Sequence, residues 1–173
     1  MSSPESPFEA TERPIEPRPV LPSGIEAGLV AGLAVVAVFL IQDIAQGAPI
    51  RTPSILGTFF IEGVEAAHNV RFAPGAAIAY NVIHFSIWIT IGAMGALSMH
   101  RVEREVSSWY LPWIGLAVLL AACFGLDALM TNSGLPRQHA WLGALSGVFA
   151  LAGFLSWRYP RGFEIVRRFG QAG

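Results

Sequence analysis

The sequence predicts an all-α membrane protein: a four-helix transmembrane bundle with one additional amphipathic helix at the interface. Three observations lead there. Of 173 residues, 53% are hydrophobic and only 13% charged, about half the charged share of an ordinary soluble domain. Four apolar runs of roughly 20 residues each match the hydrocarbon core of a bilayer. Between the first two runs, residues 53–69 place apolar and polar side chains on opposite sides at helical spacing, the pattern of a helix lying in the membrane surface.

Residues 1–23 hold six prolines and four glutamates with little to bury, and read as an extended tail. The first span covers about 24–45. It opens with Gly24, Gly28 and Gly32, four apart, a stripe that lets another helix backbone approach closely. Asp43 closes it. Thr52 followed by Pro53 reads as an N-cap and a first helical residue. Ile55, Leu56, Phe59, Phe60, Gly63, Val64 and Ala67 then recur on one side, with Ser54, Thr58, Glu62, Glu65 and Asn69 mostly on the other and Ile61 the one misfit.

The second span covers about 74–99, with Tyr80, Asn81, His84, Trp88 and Ile91 near one face. A charged loop is expected from His100 to Glu105. The third span, about 109–130, starts with the aromatic anchor Trp109, Tyr110 and Trp113 and carries Asp127 a turn from its far end. The fourth, about 137–157, contains Gly143 and Gly147, again four apart. Residues 160–173 read as a basic tail.

All eleven basic residues are arginine. With four spans, eight of them fall in the N-tail, the middle loop and the C-tail, and three (Arg51, Arg71 and Arg137) in the other two loops. The positive-inside rule then places both termini in the cytoplasm and the 53–69 helix on the outer side. Net charge near zero gives no nucleic-acid footprint. One cysteine, Cys123, excludes a disulfide within the chain.

Ionisable groups in lipid are costly and face protein, a partner or a wet cavity. Asp43, Arg51, Asp127 and Arg137 belong to the outer half and His84 lies near the midplane; together they form the expected structural polar cluster, in which Asp127 bonds to His84, to one of Arg51, Arg71 and Arg137, or to a partner. Two cofactor readings stand beside it. Glu62, Glu65 and His68, with His139, offer carboxylate and imidazole metal ligands, although a di-iron bundle needs two Glu-x-x-His motifs and this chain has one. His84, flanked by Phe85 and Trp88, offers a single axial ligand to a haem or pigment. A proton path through Asp43, His84 and Asp127 would find in the inner half only Glu26, near the cytoplasmic mouth, and scattered serine and threonine.

From Asp43 through Gly47-Ala-Pro-Ile-Arg-Thr-Pro-Ser-Ile-Leu-Gly57 the sequence resembles a group of small bacterial membrane proteins. In these a span ends in an acidic residue, followed by a Gly/Pro/Arg turn, Thr-Pro and an interfacial helix. The likeness covers about Gly24–Phe60. It implies four spans and a bacterial cytoplasmic membrane, and brings no activity, cofactor or catalytic residue.

Without a Walker, nucleophile-elbow, HExxH or dinucleotide fingerprint, the expected role is an accessory subunit of a larger membrane complex, an energy-transducing or pigment-bearing one, with other membrane subunits and the bilayer as partners. The alternative is a self-contained channel, transporter or metal-dependent membrane enzyme using the outer polar cluster.

Overall fold

The computed structural model describes residues 19–63, 65, 70, 72–130 and 137–170, and for residues 125–130 and 137–140 the backbone alone. Among the described residues the chain forms α1 (Val20–Ala45), α2 (Arg51–Glu62), α3 (Pro74–Arg104), α4 (Leu111–Met130), α5 (Arg137–Arg158) and α6 (Pro160–Gly170), with a 3₁₀ turn at Val106–Ser108 ahead of α4. Among the described residues three stretches are long and apolar enough to cross a membrane: Val20–Ala45, Pro74–Arg104 and Val106–Phe124. The molecule is an all-helical integral membrane protein.

Its core is the meeting of α1, α3 and α5. On α3, buried positions recur every fourth residue, at Tyr80, His84, Trp88, Gly92 and Ala96. On α1 the buried stripe runs through Gly24, Ala27, Gly28, Ala31, Gly32 and Val35. The two helices lie antiparallel with their backbones in contact. A Cβ added at Gly24 would fall 2.5 Å from Ala93 Cα, one at Gly28 2.7 Å from Ile89 N, and one at Gly92 2.5 Å from Gly28 N. Without a hydrophobic force between helices in lipid, this close approach is what holds them, through dispersion over many small contacts. On α5, Gly143 lies under the Phe39 ring and Gly147 under the Trp88 indole beside Val35. Glycines there make room for the large side chains that α1 and α3 project.

Outward, the spans present lipid-type surface, with Leu33, Ile41, Ile78, Val82, Phe149 and Trp157 all exposed. The helix α4 is peripheral. Among the described residues it touches α3 and α5 sparsely, meets α5 through an edge-on Phe124–Trp141 ring pair at 4.8 Å, and leaves Trp113, Ile114, Val118 and Phe124 exposed.

Three local expectations change. The segment expected to be a charged loop is helical through Arg104, because Met99 and Val102 are buried and continue the packing face of α3, while Arg101 and Arg104 suit the negative end of the helix dipole. The expected basic tail contains α6. Its buried Gly162 and Val166 dock it, and Arg161, Arg167 and Arg168 face outward. The helix expected over 53–69 begins at Arg51 and runs to Glu62, followed by Gly63 with a φ of 96° that a side chain rarely adopts; beyond it Glu65 is helical, and residues 64 and 66–69 lie outside the described residues.

The burial of α2 also differs from the expected amphipathic division. Thr52, Ser54 and Thr58 are buried with Ile55 and Leu56, while Phe60 and Ile61 are exposed. The reason is a close approach: Gly57 packs on the backbone of Ala76 at the start of α3, and only short side chains fit around such a contact.

Candidate functional site: a buried polar seam

Where α1 ends, a tight turn returns the chain into α2. The Ala48 N–H donates to the Asp43 carbonyl at 2.9 Å and the Gly47 N–H to the Ile44 carbonyl at 2.9 Å. Gly47 has φ of 68° and so does Ile50 nearly, at 61°. For a β-branched residue that backbone is strained, and it sits where α2 begins.

The turn brings the Asp43 carboxylate, 2% exposed, onto the first turn of α2. The Thr52 N–H donates to Oδ2 at 2.8 Å and the Thr52 hydroxyl to Oδ1 at 2.6 Å. Thr52 is therefore the second residue of α2 and Ile50 its N-cap position, a correction to the expected Thr52 cap. Asp43 supplies from α1 what a capping side chain normally supplies locally, and a carboxylate there also meets the positive end of the helix dipole. Two residues on, Ser54 is fully buried. Its hydroxyl donates to the Ile50 carbonyl at 2.7 Å and accepts from the Ala73 N–H at 3.2 Å, tying α2 to the start of α3.

A turn or more deeper lies His84. It is 7% exposed and bound at both ring nitrogens. The Tyr80 hydroxyl is 3.3 Å from Nδ1, and Nε2 is 3.3 Å from the Gly32 carbonyl on α1. A carbonyl only accepts, so Nε2 carries the proton and Nδ1 accepts from Tyr80. This places His84 as a neutral bridge between α3 and α1, enclosed by the rings of Tyr80, Phe85 and Trp88. An iron or magnesium centre at His84 would have to displace one of these two bonds.

Among the other members of the expected cluster, only Arg51 has a described side chain. Arg51 donates to Gln46 Oε1 at 3.2 Å in an exposed pair, and Asp43 is satisfied by Thr52. The side chains of Asp127, Arg137 and His139, together with His68 and Arg71, lie outside the described residues. Glu62 and Glu65 are exposed, and among the described residues no three His, Cys, Asp or Glu side chains gather as a metal site. Beside the seam, the Gln42 amide oxygen is buried with no donor among the described residues.

The other end of the bundle repeats the device. Glu103, near the end of α3, accepts from the Gly162 N–H in the first turn of α6 at 3.3 Å, and Arg158 Nε donates to Ser23 Oγ at 3.2 Å. Each short helix thus has its positive end held by a carboxylate from a neighbouring long helix. Sequence reasoning missed Glu103, Gly57 and Gly92. The spacing of Trp88, Gly92 and Ala96 by four, matching that of Gly24, Gly28 and Gly32, was the available signal for Gly92.

No family model matches the chain, and neither curated proteins nor solved structures contain a match to it.

Proposed function

We propose that the chain is a structural subunit of a larger membrane assembly, held in the bilayer by four spans (α1, α3, α4 and α5) with both termini on the cytoplasmic side. The observation that carries the reading is the contrast between α4 and the rest. The seam groups Asp43, Ser54 and His84 are committed to intramolecular bonds that fix helices to one another. The helix α4 takes little part in that packing among the described residues and leaves an apolar stripe through Gly115, Val118 and Ala122 exposed. Helix association in lipid depends on close packing, so a span that packs little on its own bundle is the one available to a neighbour. The 22-residue α5, running beside α1, supplies the fourth span.

Purification in mild detergent followed by mass measurement tests this. The expected result is a complex of fixed stoichiometry containing another membrane protein, lost on Gly115→Phe, because Gly115 lies on α4 where an added Cβ meets nothing in this chain within 4 Å. A lone chain, or a homo-oligomer indifferent to Gly115→Phe, would contradict it. For orientation, a cysteine at position 2 in a Cys123→Ser background should resist an impermeant maleimide applied from outside; labelling from outside would reverse the topology.

A further inference from the structure

The end of the molecule opposite α2 carries a second constellation. Where the start of α4 meets the end of α6, Trp109, Tyr110, Trp113, Ile114, Phe169 and Gly170 line an open groove of about 480 Å³. The Trp109 and Phe169 rings stack with centroids 6.0 Å apart. Gly170 lies over the Trp113 indole, where an added Cβ would be 3.4 Å from Cζ2. Tyr110, Trp113 and Phe169 are each nearly half exposed, so the groove is apolar yet open.

Charge gathers around it. Arg101, Arg104, Arg158, Arg161, Arg167 and Arg168 lie towards this end of the bundle, with Glu26, Glu103, Glu105 and Glu164. Glu103 is engaged with the Gly162 N–H and Glu164 with Arg168. Arg167 stands one helical turn before Gly170, hence on the same stripe of α6 as the groove wall. It is exposed and, among the described residues, has no ion pair. Tryptophan and tyrosine at the mouth of a span sit at the depth of lipid headgroups, and a basic amphipathic helix beside them favours anionic lipid.

We propose that this groove binds an anionic phospholipid. An acyl chain lies along Trp113, Ile114 and Ala117, and the phosphate meets Arg167, with the Trp113 N–H and Tyr110 hydroxyl at headgroup depth. Charge complementarity selects this occupant over a zwitterionic lipid. The shallow, aromatic-walled groove continuing onto a span selects an acyl chain over a soluble anion.

The test reconstitutes the full chain in phosphatidylcholine bilayers and compares tryptophan quenching by brominated phosphatidylglycerol and brominated phosphatidylcholine with identical chains. Phosphatidylglycerol should be preferred severalfold. Arg167→Gln should reduce that preference by about fivefold, the effect of one arginine near an anionic surface. Arg167→Lys should retain it, and Trp113→Phe should reduce the quenching amplitude. Arg101→Gln, the same charge change outside the groove, should alter the preference much less. Equal quenching by the two lipids would overturn the proposal, as would a preference unchanged in Arg167→Gln or reduced equally by Arg101→Gln. The measurement requires neither a partner subunit nor a given orientation, so it can fail independently of the subunit reading.

Discussion

Replacing Gly28 by alanine places one methyl group where the α1 and α3 backbones touch. The new Cβ would lie 2.7 Å from Ile89 N and closer still to the Ile89 Cα and the Trp88 carbonyl. Carbon contacts are comfortable at about 3.5–4.0 Å, so the helices must part by roughly 1 Å. Nothing at that contact is a flexible side-chain end that could move instead. Overpacking of this kind costs about 1–3 kcal/mol. The separation also stretches the His84–Gly32 hydrogen bond one turn away, already 3.3 Å long; such interhelical bonds are worth about 0.6 kcal/mol in membranes. Alanine's better helix propensity opposes these losses by about 0.5–1 kcal/mol. Gly153→Ala removes that offset as a control, because a Cβ at Gly153 meets nothing within 4 Å. The difference between the two variants should be about 2–4 kcal/mol. Titration of dodecylmaltoside-solubilised protein with dodecyl sulfate, followed by circular dichroism, measures it. If both variants unfold at the same detergent fraction, the backbones do not touch at Gly28 and the packing account of α1 and α3 fails.

The remaining predictions concern the polar seams. Asp43→Ala leaves the buried Thr52 N–H and hydroxyl without an acceptor and should cost about 2–3 kcal/mol, with faster hydrogen exchange at the Thr52 amide; unchanged exchange there would show that Asp43 does not hold α2. His84→Phe keeps the ring packing but removes both bonds, and should lower stability by about 1 kcal/mol, whereas a loss of bound chromophore on purification would indicate a ligand role instead. Glu103→Ala should weaken the docking of α6 by about 1 kcal/mol, read as faster exchange across 160–170 while α1 stays protected; equal exchange in both variants would remove Glu103 from that role.

Much of the scaffold could be read from the sequence because a bilayer constrains length and composition directly. Apolar runs long enough to span lipid must be helical, since no water is present to satisfy their backbone groups. That reasoning located the helices ending at Ala45 and beginning at Pro74. It also marked Gly24, Gly28 and Gly32 as places where a backbone could come close. Asp43 and His84 stood out because ionisable groups are rare in such runs.

What faces what was decided only by the tertiary structure. In water, apolar periodicity identifies the inner face of a helix, because solvent and core differ in polarity. In lipid both surroundings are apolar, and the protein interior is marked instead by small size and hydrogen bonding. Thr52, Ser54 and Thr58 therefore point inward around Gly57 together with Ile55 and Leu56, while Phe60 points out, a division that a polarity pattern does not predict. The partners of the seam were equally hidden. Asp43 finds Thr52 through the turn at Gly47 and Ile50, His84 finds a backbone carbonyl that no side-chain pattern records, and Glu103 finds the N-terminus of a helix about sixty positions away in the chain. Sequence composition placed the molecule in the membrane; the close packing of α1 and α3 chose the partner of His84, because backbone contact at the glycines brings it within bonding distance of the Gly32 carbonyl.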